Sequence, residues 1–164
     1  MVYGEHGSFS AMDFTDLYQE IIMDHYRRPR GAAVLDHVPE SKVHENPSCG
    51  DSIKVEVLEK PEGTVEKVRF EARGCAISTA SASLMSGLLT GKTAGEARRL
   101  ATSFIQVMRG EEKAELLDGW GELACLKGII RYPVRVKCAT LAWHALLDAL
   151  PEETEAGLDE DQGY

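Results

Sequence analysis

Apolar positions change their spacing along this chain, and each change marks a new element. Phe14, Leu17, Tyr18, Ile21, Ile22 and His25 recur at helical spacing, with Asp13 placed as an N-cap. This helix should stop at Arg28-Pro29-Arg30-Gly31, because proline disfavours helix in the residue before it. A loop with few apolar anchors follows from Ala32 to Pro47, and a third strand is expected within Ala33–Val43. Ile53, Val55 and Val57 then alternate with Ser52, Lys54 and Glu56, the period of a half-buried strand. Pro61-Glu62-Gly63 signals a turn, and Val68, Phe70 and Ala72 alternate beyond it as an antiparallel partner.

Past Gly74-Cys75 the spacing becomes helical again. Ile77, Ala80, Leu84 and Leu88 predict a helix reaching about Gly91. Thr93-Ala94-Gly95-Glu96 fits a capping box, and the helix behind it carries Leu100, Phe104, Val107 and Met108 up to Gly110. A short helical piece is expected over Glu115–Leu126, interrupted by Gly119 and Gly121. Pro133 should end an extended approach to a last helix that begins close to Cys138. Leu141, Leu146, Leu147 and Leu150 give that helix its apolar face, Trp143 lies nearby, and Pro151 stops it. Strands first and helices afterwards predict an α+β fold, a small antiparallel sheet packed against a layer of helices.

Composition sharpens this without redirecting it. The 164 residues suit one domain with its own core. We read residues 1–12 as a mobile arm, 13–150 as the folded domain and 151–164 as an acidic disordered tail. The net charge is −9, but that tail holds six acids and no base, which leaves 21 acids against 18 bases elsewhere, or −3. A nearly neutral folded part excludes nucleic acid as the expected partner. No apolar run approaches the roughly 20 residues that span a bilayer, so no membrane role is expected. Met1–Ser10 lacks the pattern of a secretory signal, and the cytoplasm is the expected location.

In that reducing compartment four cysteines point to metal or thiol chemistry rather than to disulfides. Cys49-Gly50-Asp51 stands just before the first clear strand, and Gly50 lets both flanking side chains face one centre. Read blandly, it is a turn with Asp51 capping loop amides. Cys75 opens the small-residue helix, where the helix dipole and unpaired amides favour a thiolate. Cys138 is expected to repeat that arrangement at the start of the last helix. Three thiolates and Asp51 would form a tetrahedral site for zinc or iron. Arg135, in the extended approach, would reach this site and balance its excess negative charge. The small residues Ala76–Ser83 serve either close packing or access for a cluster or partner loop. Cys125 lies in an apolar patch and reads as a buried small hydrophobe. His25 and His144 read as ordinary helix residues, His37 and His44 as loop residues with His44 in reserve as a ligand, and His6 as part of the arm.

The chain resembles the iron–sulfur cluster assembly scaffolds of the IscU, SufU and NifU N-domain family over about residues 13–150. The resemblance rests on Leu17-Tyr18, Asp24-His25-Tyr26-Arg27-Arg28-Pro29-Arg30 and Asn46-Pro47-Ser48-Cys49-Gly50-Asp51. It continues through Phe70-Glu71-Ala72-Arg73-Gly74-Cys75-Ala76-Ile77-Ser78 with Ala80-Ser81-Ala82-Ser83, and through Arg135-Val136-Lys137-Cys138-Ala139-Thr140-Leu141-Ala142-Trp143. Two features are similar to the SufU branch. The 62 residues between Cys75 and Cys138 are more than the IscU branch has, with the extra length around Gly110–Gly128. Lys137 stands where IscU-type proteins carry a histidine, and Arg135 where the SufU branch carries an arginine.

This resemblance implies a SufE/NifU-like fold and a zinc ion held by Cys49, Asp51, Cys75 and Cys138. It implies a PLP-dependent cysteine desulfurase of SufS type as partner, with Cys49 as acceptor of its persulfide sulfur and Arg135 as a supporting cation. In the IscU manner the same ligands would gather a transient [2Fe–2S] cluster and pass it to acceptor apoproteins or cluster carriers. Two other readings compete. A small zinc hydrolase or deaminase needs a general base, yet neither His-Glu-x-x-His nor His-x-Glu with Pro-Cys-x-x-Cys occurs. A structural zinc domain usually has tightly spaced cysteine pairs, and none occur.

Overall fold

The two alternating stretches do pair as an antiparallel ladder in a computed structural model, which describes residues 6–151. The sheet has the order β1 (His44–Asn46), β2 (Asp51–Glu59), β3 (Val65–Arg73), antiparallel throughout. Val55 pairs with Phe70 and Ser52 with Arg73. On the inner face Ile53, Val55, Val68 and Phe70 are buried, and Asp51 continues their row at the end of β2.

The third strand lies one segment later than expected. Residues 33–43 hold only a 3₁₀ turn at Glu40–Lys42; beyond the neighbouring Ala32–Phe70 bridge, they meet β3 through Ala33 N, which donates to Phe70 O at 2.8 Å, and Leu35 N, which donates to Glu71 Oε1 at 3.0 Å. Pro39 lacks the N–H a ladder needs, and Leu35 is the one fully buried side chain there. β1 forms because the turn Pro47–Gly50 folds His44–Asn46 back onto β2.

The described residues form four α-helices, α1 (His6–Arg27), α2 (Ala76–Leu89), α3 (Ala94–Met108) and α4 (Pro133–Ala149); α2 and α4 pack on the sheet, α1 on α2 and α3 on α4. The expected capping box is present. Thr93 Oγ1 accepts from Glu96 N at 3.1 Å, and Thr93 N donates to Glu96 Oε1 at 2.9 Å. A 3₁₀ stretch over Ala114–Arg131, kinked at Trp120 and Gly121, occupies the interrupted helical piece.

Three boundaries need correction. α1 begins at His6, not after Asp13, so residues 6–12 are helical; Ala11 and Met12 are good helix formers and extension adds a bond per residue. Residues 1–5 of the expected arm and 152–164 of the expected tail lie outside the described residues. α4 starts at Pro133 rather than near Cys138. Proline at the first helical position loses no bond, since that N–H would be unpaired anyway, and its fixed φ suits the helix.

α2 is the central helix, packed against α1, α4 and β3. Ala80, Ser81, Ala82 and Ser83 are fully buried, so the small-residue run serves close packing rather than access. Each buried hydroxyl has work to do. Ser81 Oγ donates to Ala139 O at 2.6 Å and accepts from Trp143 Nε1 at 3.0 Å. Ser86 Oγ donates to Val68 O at 2.6 Å. His25 takes the ordinary core role expected of it: Nε2 donates to Glu122 Oε1 at 2.8 Å, and Nδ1 is hydrogen-bonded with Ser83 Oγ at 2.7 Å. Trp143 stacks on Phe104 with ring centroids 4.4 Å apart.

Ser81 therefore couples α2 to α4 twice. Ser81→Ala orphans the buried Trp143 N–H and should lower unfolding free energy by about 1–3 kcal/mol, read from urea denaturation. A change within experimental error would show that this bridge carries no stability.

Candidate metal centre

Three elements end at the same edge of the molecule. The first is the β1–β2 hairpin. Asn46 O accepts from Cys49 N at 3.2 Å and Gly50 N at 2.8 Å, and Gly50 turns the chain with φ +76°, a conformation few other residues adopt freely. Cys49 is thereby exposed at the hairpin tip, while Asp51, the first residue of β2, is 2% exposed and faces inward.

The second is the junction of β3 and α2. Cys75 is the N-cap of α2, as the sequence suggested. Its backbone N donates to Asp51 Oδ1 at 3.0 Å and its thiol to Asp51 Oδ2 at 3.3 Å. Gly74 makes this approach feasible: a Cβ there would sit 2.3 Å from Asp51 Oδ1.

The third is α4. Cys138 lies in its second turn, not at its start, and so lacks the unpaired amides expected for it. It is 1% exposed, and its Sγ stands 3.2 Å from Cys49 Sγ. The ligand atoms of Cys49, Asp51 and Cys138 all lie within 4.8 Å of one another, and Cys75 touches Asp51.

The ionisation of this cluster is uneven. Burial acts to raise the Asp51 pKa, but hydrogen bonds from Cys49, Cys75, Ser78 and the Cys75 backbone outweigh it and hold the carboxyl below its ordinary value. The Cys138 thiol is pushed well above its ordinary value, first by burial and then by Cys49, Cys75 and Asp51 crowding it. At neutral pH without metal, Asp51 is a carboxylate and Cys138 a thiol.

The donor set fits a tetrahedral thiophilic ion. Zinc–sulfur bonds of about 2.3 Å place two ligand sulfurs about 3.8 Å apart, so the Cys49–Cys138 pair needs to open only by about half an ångström. A buried carboxylate already ionised and three thiols at one locus are the chemistry such an ion takes.

Other residues singled out in the sequence stand elsewhere. Arg135 is exposed in the first turn of α4 rather than in an extended segment, and among the described residues its side chain makes no hydrogen bond or ion pair. It is one turn ahead of Cys138, so the two are neighbours on the helix surface. His44 Nε2 bonds Asp148 Oδ2 at 3.0 Å and His37 Nε2 bonds Glu56 Oε2 at 2.5 Å, which engages both away from the cluster. His144 is exposed on α4. Cys125 is buried, with its thiol pushed up to about 12 by burial and by Glu122, the inert state expected of it. Asn46, Gly74 and Ser78 were not given roles in the sequence. An Asn three residues before a turn cysteine is the available signal for the first.

The NifU-like N-terminal domain matches residues 17–139, a span that includes all four candidate ligands. The chain belongs to this family. It is 39% identical over 146 residues to the zinc-dependent sulfurtransferase SufU of Bacillus subtilis, covering 89% of this chain and 97% of that one. It is 38% identical over 140 residues to the iron–sulfur cluster assembly scaffold protein IscU of Streptococcus pyogenes serotype M1, covering 85% and 86%. Among solved structures it resembles a candidate iron–sulfur cluster assembly scaffold for the SUF system from Fervidobacterium islandicum AW-1. That match has a TM-score of 0.66 at 34% identity and covers 80% of this chain and 95% of the other. The α+β architecture is thus that of the NifU-like family.

Two outcomes follow for the centre. Gly74→Ala should displace the Asp51 carboxylate and weaken divalent-metal binding at least about tenfold in chelator competition, with far-UV circular dichroism retained. Because the Cys138 proton must leave when metal binds, affinity should rise with pH by about tenfold per unit or more from about pH 6 to about pH 8. A pH-independent affinity would mean that no buried thiol joins the ion.

Proposed function

We propose that this protein is a zinc-binding sulfur acceptor and scaffold for iron–sulfur cluster assembly, working in the cytoplasm with a PLP-dependent cysteine desulfurase of SufS type. The observation that carries this reading is the exposed Cys49 thiol at the hairpin tip, 3.2 Å from buried Cys138 and beside Asp51 and Cys75. The similarity to proteins named for zinc-dependent sulfur transfer and for cluster scaffolding supports it. Four free cysteines suit a reducing compartment, and no helix among the described residues is long and apolar enough to cross a membrane.

Cys49, Asp51, Cys75 and Cys138 would hold the zinc ion. Bound there, zinc supplies a fixed positive charge that favours thiolates, and it has no redox chemistry of its own. Cys49 is the thiol a partner can reach. As a thiolate it attacks the outer sulfur of the desulfurase persulfide. A bond forms from Cys49 Sγ to that sulfur, the sulfur–sulfur bond of the donor breaks, and the donor cysteine leaves as a thiolate. The proton of the persulfide stays on the transferred sulfur, and no electrons are gained or lost. Buried Cys138 and Asp51 keep the remaining donors in place, and Arg135 adds positive charge on the helix face next to Cys138.

A second reading has specific support. Three thiols with the Asp51 carboxylate also supply the four ligand positions that a [2Fe–2S] cluster needs, here as cargo bound for acceptor apoproteins or cluster carriers. Zinc, iron and sulfide analysis of protein purified without oxygen separates the two: zinc without sulfide for the acceptor, iron with sulfide for the scaffold.

Desulfurase turnover tests the proposal. With desulfurase and free cysteine present, the wild-type Cys49 peptide should gain the mass of one sulfur atom, and Cys49→Ser should lose stimulation at least about tenfold. Cys125→Ser should leave it unchanged. Full stimulation by Cys49→Ser would overturn the assignment.

A further inference from the structure

Asn46 closes the β1–β2 hairpin and is 5% exposed. Its side-chain amide offers one acceptor oxygen and two N–H donors. Oδ1 accepts the Ser48 backbone N–H at 3.1 Å. A backbone N–H can only donate, so this bond fixes which way the amide faces. The NH₂ group is thereby turned to the sulfurs, with Nδ2 3.1 Å from Cys49 Sγ and 3.8 Å from Cys138 Sγ. Among the described residues no other nitrogen bonds either sulfur.

We propose that Asn46 is the positioning residue of the centre, holding the Cys49 and Cys138 sulfurs in register through two N–H···S bonds. This rests on the metal-centre reading above. The two sulfurs stand 3.2 Å apart, and one amide group within reach of both spans that gap from the side. An amide shared between both sulfurs also fixes their relative placement before any ion arrives. The same fork ties the exposed thiol to the buried one. Groups of this kind around a metal site set ligand orientation and electron donation.

The test compares the zinc-purified wild type with Asn46→Ala and Asn46→Asp after exchange with cobalt(II). The sulfur-to-cobalt charge-transfer band reads electron density on the thiolates. Both variants should shift that band to lower energy, and chelator competition should show zinc held about 10- to 100-fold more weakly. Asn46→Asp keeps the volume and an oxygen for Ser48 N–H, so it separates loss of the donors from loss of packing. A merely structural residue would leave the band in place and Asn46→Asp close to wild type; that pattern overturns the proposal. So does a band and affinity unchanged in both variants. A wild type with no charge-transfer band would instead remove the metal-centre reading, and this proposal with it.

Discussion

A carboxylate buried where β2, β3 and α2 meet constrains everything at this end of the molecule. Asp51 is 2% exposed, and an ionised carboxylate taken from water without partners costs several kcal/mol or more. It stays ionised because hydrogen bonds from Cys49, Cys75, Ser78 and the Cys75 backbone outweigh its burial, and two of them, the Cys75 N–H and the Cys75 thiol, come from the start of α2. Those donors exist only if α2 starts where it does. They reach Asp51 only because Gly74 has no side chain. A one-residue slip between β2 and β3 would turn Asp51 to the outer face and leave Cys75 facing nothing. The register, the helix start and the glycine thus answer to one charge.

The same helix that presents Cys75 also sets how near α4 lies. Ala80, Ser81 and Ala82 have little side-chain volume, and Ser81 reaches Ala139 O directly. That bond anchors α4 at the residue next to Cys138. Core packing and site geometry are therefore one problem here. Phe104 and Trp143 fill the space further along, and the small residues of α2 set the spacing at which thiols on separate segments meet.

Much of this was legible in the sequence because local chemistry agreed with the tertiary outcome. Alternation at Ile53–Val57 marked a half-buried strand, and the Thr93–Glu96 pair marked a helix start with its own reciprocal bonds. The failures came where local signals are degenerate. Pro133 reads as a breaker or as a first helical residue, and only packing of the helix behind it decides. Asp13 is a good N-cap by type, yet a helix already running through it need not stop. β1 is three residues long and has no apolar alternation to show; its partner β2 creates it. The cluster of Cys49, Asp51, Cys75 and Cys138 was legible as a set of residue types, whereas the Asn46 fork was not. A hydrogen bond between a strand end and a sulfur 92 positions away leaves no period in the chain.

The two close sulfurs differ in a way that bears on chemistry. Cys49 is on a turn and exposed; Cys138 is inside a helix and buried. A thiol on a turn can leave a ligand set by moving a few backbone torsions. One in the second turn of α4 would have to take the helix with it. The proposed sulfur acceptance would require one donor free to move and others that remain, and the elements that carry these thiols divide in that way. Identical placement of all the thiols would have made a site that either holds everything or releases everything. Mobility is thus assigned by secondary structure, before any difference in thiol ionisation is considered.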